Sequence, residues 1–108
     1  MAPVNGVPFL DYLINSIVNA DIKKILILVG YKSNVITSRY DNINNIIIEY
    51  SFGSLEQKTG RRLLNAQDKL DDNFLLLYGD NFWPIEINDM VKNYKKLNLD
   101  LTTTVFSN

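Results

Sequence analysis

The sequence predicts an α/β fold, a three-layer αβα sandwich with a mostly parallel, Rossmann-like sheet. Apolar runs without alternation occupy residues 24–29 and 74–78, which is typical of strands covered on both faces. Segments with helical apolar periodicity separate the predicted strands throughout the chain. Because the connections are short, each helix should cross the sheet face in a right-handed βαβ unit. No linker or repeat interrupts the pattern, so residues 1–108 form one domain or part of one.

The first half of the chain alternates loop, helix, strand and helix. Residues 1–7 form a predicted loop, and Pro8 suits the first turn of a helix because no backbone donor is needed there. The apolar stripe of this helix comprises Phe9, Leu10, Leu13, Ile14, Ile17 and Val18. The strand at residues 24–29 stops at Gly30. Ser33 is the predicted N-cap of a short helix that ends at Tyr40 and buries Val35 and Ile36.

The second half repeats this alternation. A turn at residues 41–45 precedes a strand at 46–50, and the polar loop 51–59 leads to a helix at 60–70. The residues predicted to face inward from that helix are Leu63, Leu64, Ala66 and Leu70. After the strand at 74–78, a connection at 85–87 leads to a helix at 88–97, and a threonine-rich strand spans 99–106. The last helix is predicted to bury Met90, Val91, Tyr94 and Leu97.

Composition excludes several functional classes. With 11 basic and 12 acidic residues, the net charge of -1 offers no broad attraction for nucleic acid or an anionic membrane. The absence of cysteine and histidine excludes disulfides, thiolate metal sites and Ser-His-Asp or Cys-His catalysis. No apolar run approaches the roughly 20 residues of a membrane-spanning helix, and no signal peptide is recognisable. The expected location is the cytoplasm.

The most informative polar stretch is Gly79-Asp80-Asn81, where the apolar run at 74–78 ends. Open α/β sheets bind ligands at the carboxyl ends of their strands. A carboxylate at this position can hold Mg²⁺, which normally arrives with phosphates. The same three residues are also ordinary turn formers, so the pattern equally fits a simple turn.

Two further loops carry candidate binding residues. Arg61 and Arg62 follow Thr59-Gly60 in the first turn of a predicted helix, where cations oppose the positive end of the helix dipole. A phosphate or carboxylate would compensate them, although both side chains can instead extend into solvent. Gly30 ends another strand at the same predicted edge as Asp80.

Two other patterns carry less functional information. Phe82 and Trp83 are suited to stacking on a sugar or base, or to a core or subunit contact. The dinucleotide fingerprint and the Walker A loop are both absent from the sequence.

Together these stretches resemble the nucleotide-binding half of the sugar-1-phosphate nucleotidyltransferases. The resemblance covers residues 1–14, Ile22-Lys23-Lys24-Ile25 through Val29-Gly30-Tyr31, Thr59-Gly60, and Tyr78-Gly79-Asp80-Asn81. It implies transfer of NMP from an NTP to a sugar 1-phosphate, with pyrophosphate as the leaving group and Mg²⁺ as cofactor. It also implies Asp80 as the metal ligand and Gly79 and Asn81 as substrate-binding residues. The implied nucleotide-binding residues are Gly30, Tyr31, Thr59, Gly60, Arg61 and Arg62.

The sequence departs from the family pattern in two ways. Lys58, Arg61 and Arg62 replace small residues of the family's base-contacting glycine-rich turn, so the base is not predicted. The family's first strand, its glycine-rich loop with a catalytic arginine and its Lys-Pro pair have no counterpart. We therefore expect a domain truncated at both ends that lacks catalytic residues, and its enzymatic activity stays open.

The resemblance places the family's first strand between the strands at 24–29 and 74–78. Its absence should expose two apolar strand edges, which would pair with each other or with another chain as a homo-oligomer or strand-swapped assembly. The alternative function is a non-catalytic αβα module that binds nucleotide sugars or acts as an assembly subunit. A flavodoxin-like or receiver-type domain is set aside because its acidic cluster and phosphoacceptor are not found.

Overall fold

The computed structural model describes residues 2–30, 32–40, 46–81 and 86–103. The predicted turn at 41–45 and the residues Tyr31, Phe82 and Trp83 lie outside these ranges. The strands are β1 (Pro3–Val4), β2 (Val7–Pro8), β3 (Lys24–Val29) and β4 (Ile47–Phe52). The helices are α1 (Phe9–Val18), α2 (Ser33–Tyr40), α3 (Thr59–Asn65) and α4 (Ile87–Leu97), and a 3₁₀ turn covers Gln67–Lys69.

The centre of the fold is the parallel pair of β3 and β4. Their register runs from Lys24 opposite Ile47 to Val29 opposite Phe52. Since α2 connects the two strands, β3, α2 and β4 form the predicted βαβ crossover, and the α/β class is confirmed. The amide of Gly53 donates a hydrogen bond of 2.9 Å to the carbonyl of Val29, which keeps the two strand ends together.

The N-terminal segment is a hairpin, so the prediction of a loop at residues 1–7 was wrong. β1 and β2 pair antiparallel, with Val4 opposite Val7. Asn5 and Gly6 connect them with φ angles of 52° and 79°. Two consecutive positive φ angles are typical of the tight hairpin turn that an Asn-Gly pair favours. The phenol of Tyr12 on α1 donates to the carbonyl of Val4 at 3.1 Å, which fixes the hairpin against the helix.

The core is built from one face of α1 and from single residues of the other elements. The buried residues are Leu13, Ile14, Ile17, Val29, Tyr40, Ala66 and Ile87. Burial was predicted correctly for Ala66 and for the centre of the α1 stripe, but wrongly for Val35 and Leu64, which are 42% and 54% exposed. In α2 the buried position is Tyr40. The helical pattern predicted for 60–70 breaks at Ala66, where the 3₁₀ turn begins, and so no continuous stripe forms.

The segment at residues 74–78 is not a strand, contrary to the prediction. It belongs to no helix or strand, and Phe74, Leu76 and Tyr78 are 53%, 43% and 57% exposed. A strand exists only where its backbone groups pair with a neighbour, and no described strand pairs with this segment. A hydrogen bond of 3.1 Å from the phenol of Tyr94 to Oδ1 of Asn73 joins the start of the segment to α4.

The helix predicted at residues 88–97 is present as α4, although one residue predicted to be buried is exposed. α4 spans Ile87–Leu97 and ends at Asn98, whose left-handed backbone (φ 52°, ψ 44°) is a common helix stop. Leu97 was predicted to be buried but is 58% exposed. Residues 99–103 form no strand, and the rest of the predicted strand at 99–106 lies outside the described residues. Within the described ranges, every helix is too short or too polar to cross a membrane.

Candidate functional site

The guanidinium group of Arg62 lies where β3 and β4 end. Its Nε donates a hydrogen bond of 3.0 Å to the carbonyl of Gln57, and its Nη2 donates one of 3.0 Å to the carbonyl of Ser54. A methyl group placed on Gly30 would lie 2.8 Å from Nη2 of Arg62 and 3.1 Å from Nη1. Arg62 therefore contacts the loop after β3 and the loop after β4 at the same time.

Local geometry explains why Arg62 reaches this position. The amide of Gln57 donates to the carbonyl of Ser54 at 3.2 Å, so the chain turns before entering α3. Arg62 is the fourth residue of α3 and lies in the last turn of this short helix. Side chains on a helix lean toward its N-terminus. The arginine consequently folds back over the loop that precedes its own helix, and two of its donors are used by backbone carbonyls.

A side chain at position 30 would require the guanidinium group of Arg62 to shift. Glycine therefore leaves room for Arg62 at this position, whereas the backbone of Gly30 lies outside the left-handed region and does not itself favour glycine. The structure thus brings together two of the predicted nucleotide-binding residues. Their role in binding a nucleotide stays a prediction.

The other predicted binding residues of this region lie at the start of α3. Thr59 is half-buried, whereas Gly60 and Arg61 are exposed. No hydrogen bond or ion pair is formed by the Arg61 side chain within the described part of the chain. Arg61 and Arg62 are therefore adjacent in sequence but differ in environment, since of the two side chains only that of Arg62 bonds to other described residues.

A narrow indentation, too small to hold a water molecule, lies beside Arg62. It is lined by Ser51, Phe52, Gly53, Gln57, Arg62 and Asn65. The side-chain oxygen of Gln57 is buried and has no hydrogen-bond donor among the described residues. A methyl group on Gly53 would lie 2.6 Å from this oxygen, so Gly53 leaves room for it. The sequence interpretation missed Ser54 and Gln57, although Gly53 marks the end of β4 at the same sheet edge as Gly30.

Asp80 lies in an exposed turn. The amide of Asn81 donates a hydrogen bond of 3.3 Å to the carbonyl of Tyr78, and the space around Gly79 is open. Among the described residues, no group of three or more carboxylates is placed to hold a metal ion. Mg²⁺ is commonly held by one or two carboxylates together with substrate phosphates. A single accessible carboxylate fits a metal that arrives with a phosphate ligand. Because residues 74–78 form no strand, the prediction that Asp80 follows a strand at the same sheet edge as Gly30 was wrong.

A second polar cluster joins α1 to α2. The carboxylate of Asp11 accepts a hydrogen bond of 2.9 Å from Nε of Arg39, another from Nη2 of Arg39, and one from the phenol of Tyr40. Hydrogen bonding from Arg39 holds the pKa of Asp11 below its ordinary value. Burial, followed by the bond to Asp11, raises the pKa of Tyr40. This cluster fixes α2, which begins shortly after Gly30.

A wider groove runs along α4. Its lining comprises Glu86, Asp89, Met90, Asn93, Tyr94, Leu97, Thr102 and Thr103. Among the described residues, none that the sequence predicts for nucleotide, metal or substrate binding lines this groove.

A family model and several known proteins match this chain, and the family and two of these relatives are named for nucleotidyl transfer. The family model described as nucleotidyl transferase matches residues 1–108. The chain is 29% identical over 97 residues to the UTP–glucose-1-phosphate uridylyltransferase AglF of Haloferax volcanii, which covers 89% of this chain and 40% of that protein. It is 29% identical over 102 residues to a D-glycero-alpha-D-manno-heptose 1-phosphate guanylyltransferase of Campylobacter jejuni, with coverage of 94% and 46%. It is 31% identical over 91 residues to the bifunctional protein GlmU of Methanococcus maripaludis, with coverage of 84% and 21%.

No solved structure matches the chain significantly. The chain spans less than half the length of each of these three relatives: the matches cover 40%, 46% and 21% of the relatives' sequences. The family model, in contrast, covers the chain from its first residue to its last. The resemblance inferred from the sequence is confirmed, and this chain belongs to the nucleotidyl transferase family.

Proposed function

We propose that this chain supplies the nucleotide-binding region of an enzyme that transfers NMP from an NTP to a sugar 1-phosphate and releases pyrophosphate. The observation that carries the proposal is the family match over residues 1–108. Two relatives support the substrate class, since their names specify uridylyl transfer to glucose 1-phosphate and guanylyl transfer to a heptose 1-phosphate. Because these two relatives use different bases, the proposal leaves the base open.

The chemistry suits the residues that the chain contains. An oxygen of the sugar phosphate can attack the α-phosphorus directly, so no protein nucleophile is needed and the lack of cysteine and histidine is no obstacle. The protein must then position the substrates and balance charge. In this proposal Gly30, Thr59 and Gly60 allow close approach of the nucleotide. Arg61, whose side chain is exposed and unbound among the described residues, neutralises phosphate.

The proposal includes Mg²⁺, with Asp80 as its protein ligand. When bound with a triphosphate, Mg²⁺ neutralises phosphate charge. Support comes from the accessible carboxylate of Asp80 in a turn whose neighbouring Gly79 has open space. Gly79 and Asn81 are the proposed contacts of the sugar phosphate, and Tyr31 is a further proposed nucleotide contact.

Binding and turnover test the proposal separately. We expect UTP or GTP with Mg²⁺ to raise the melting temperature of the chain, because a ligand that binds only the folded state stabilises it. Pyrophosphate release should then be measured with glucose 1-phosphate and other sugar 1-phosphates. If no NTP stabilises the chain, the proposed nucleotide-binding role is refuted.

A second candidate function is a non-catalytic nucleotide-sugar-binding or assembly module. The exposed apolar residues Phe74, Leu76 and Tyr78 favour it, because an unpaired apolar segment is suited to association with another chain or a second copy. Nucleotide-dependent stabilisation without pyrophosphate release would support this candidate. Under either function we propose a cytoplasmic location, where NTPs are available, and cell fractionation would test it.

A further inference from the structure

We propose that Arg62 is a positioning residue that sets the separation between the loop after β3 and the loop after β4. In this role it determines nucleotide affinity without contacting the nucleotide. We call this group of contacts the Arg62 bridge; it consists of the guanidinium of Arg62, Gly30, and the carbonyls of Ser54 and Gln57. The proposal rests on the proposed function, because it assigns a residue to the same site.

The hydrogen bonds of Arg62 are the first argument. Its Nε and Nη2 donate at 3.0 Å to the carbonyls of Gln57 and Ser54, so one rigid plane fixes two points of the same loop. A lysine has one ammonium group on a flexible stem and cannot hold both carbonyls with the same geometry. With two donors bound to backbone, the fork of Arg62 is turned toward the protein instead of being presented to a phosphate.

The contact with Gly30 is the second argument. Nη2 and Nη1 of Arg62 lie 2.8 Å and 3.1 Å from where a Cβ at position 30 would be. The guanidinium therefore occupies the space that a side chain after β3 would fill. Substituting Gly30 with alanine should displace the guanidinium of Arg62. This variant therefore perturbs the Arg62 bridge without removing the arginine.

The loop that Arg62 holds leads directly into proposed nucleotide contacts. Lys58 precedes Thr59 and Gly60, and the carbonyl of Lys58 accepts a hydrogen bond of 3.0 Å from the amide of Arg62. If the loop loses its two bonds to Arg62, the start of α3 loses a fixed position. Misplacement of binding groups weakens affinity even when no direct contact is removed.

Arg61, the preceding residue of the same helix, offers a matched comparison. Its side chain is exposed and makes no hydrogen bond or ion pair inside the described ranges, whereas the side chain of Arg62 is half-buried. In the proposal Arg61 therefore contacts phosphate directly, whereas its neighbour Arg62 positions the loop, and substitutions of the two should have different effects on binding. Loss of a direct contact reduces the salt dependence of binding, because fewer charges are neutralised. Loss of a positioning contact weakens binding at every salt concentration by the same factor.

Hydrogen exchange tests the bridge without a nucleotide. We expect amides of residues 53–58 to exchange faster in Arg62→Ala and Gly30→Ala than in the unmodified chain, with an intermediate effect in Arg62→Lys. Arg61→Ala should leave exchange in this loop unchanged. If Arg62→Ala does not fold, Gly30→Ala and Arg62→Lys decide the same question. Unchanged exchange in the folded variants would overturn the bridge.

Nucleotide binding tests its functional role. Dissociation constants for UTP and GTP with Mg²⁺ should be measured across a series of salt concentrations. We expect Arg62→Ala to weaken binding about tenfold, as loss of a hydrogen bond predicts. Arg62→Lys keeps the charge but not the two-point geometry, so it should weaken binding several-fold with an unchanged salt slope. Lys95→Ala, an exposed cation of α4, should match the unmodified chain.

Two results would contradict this role in different ways. If Arg62→Lys keeps the affinity of the unmodified chain, the charge of Arg62 and not its bonding geometry supports binding, and the positioning role is wrong. If the unmodified chain binds neither nucleotide, the proposed function fails and the effect of Arg62 on affinity fails with it. The exchange experiment still reports on the bridge in that case, so the two failures are distinguishable.

Discussion

The carboxylate of Asp11 on α1 accepts a hydrogen bond of 2.9 Å from Nε of Arg39 on α2. A second bond comes from Nη2 of the same arginine, and the phenol of Tyr40 donates a third. Asp11 therefore joins two helices that are separated in sequence by β3. Because α2 begins just after Gly30, this cluster also limits where the loop at the end of β3 can lie.

Asp11→Asn should lower the melting temperature by several degrees. An amide has no negative charge, and its nitrogen replaces one of the two acceptor oxygens, so Arg39 loses its ion pair and one of its two bonds to residue 11. Thermal unfolding followed by circular dichroism would measure the change. Asp72→Asn is the control, because Asp72 is exposed and has no bonding partner among the described residues. Equal effects of the two substitutions would contradict a special role for Asp11.

Tyr40→Phe should be milder. Phenylalanine fills the same buried space, and Asp11 keeps its bonds to Arg39, so the loss includes the hydrogen bond from the phenol to Asp11, worth about 1 kcal/mol. Urea unfolding would measure it, with Tyr78→Phe as the control because Tyr78 is 57% exposed. A loss as large as that of Asp11→Asn would mean that the phenol does more than donate one bond.

The Asp11 cluster should make stability depend on pH in the acid range. Its folded pKa lies below the unfolded value of about 3.9, so the contribution is fully present above that value. It is lost as pH falls through the folded pKa, because the unfolded state binds the proton more readily. The stability difference between the unmodified chain and Asp11→Asn should therefore shrink below about pH 4. A difference that stays constant to pH 2 would contradict the assignment.

The parallel sheet and α2 could be predicted because their signals are local. The branched apolar run Lys24–Val29 and the helix Ser33–Tyr40 match the structure, since periodicity and end residues specify each one. The hairpin at Asn5-Gly6 carried an equally local signal that the interpretation overlooked. The burial of Tyr40 could not be predicted from periodicity, because it depends on a contact with Asp11 on another helix.

The segment at residues 74–78 shows a different limit. Its composition indicates burial, but a strand also needs a neighbour to pair with, and that requirement is not contained in the segment itself. The site shows the same limit. Gly30 and Arg62 were each identified from sequence, whereas the contact between them depends on the parallel register of β3 and β4.

Leu76→Lys should reduce self-association of the chain. Phe74, Leu76 and Tyr78 are exposed at alternate positions, and a lysine within such a segment discourages pairing with another chain. Light scattering coupled to size exclusion would give the mass at several protein concentrations. Leu101→Lys is the control: this leucine lies outside the segment and is 76% exposed, so its substitution should leave the mass unchanged. If the unmodified chain is monomeric at all concentrations, the segment does not mediate association.

Asp80→Asn should remove the Mg²⁺ dependence of nucleotide binding. The proposal gives Mg²⁺ a single carboxylate of the protein, and an amide oxygen carries no charge to hold it. We expect Mg²⁺ to strengthen NTP binding by the unmodified chain, EDTA to reverse this effect, and the variant to bind equally with or without the metal. Isothermal titration with UTP and GTP would measure all three, and Asp72→Asn should behave as the unmodified chain. A variant that keeps the full Mg²⁺ effect would show that a group other than Asp80 holds the ion. That result would refute the metal role of Asp80 but would leave the proposed nucleotide site around Gly30 unaffected.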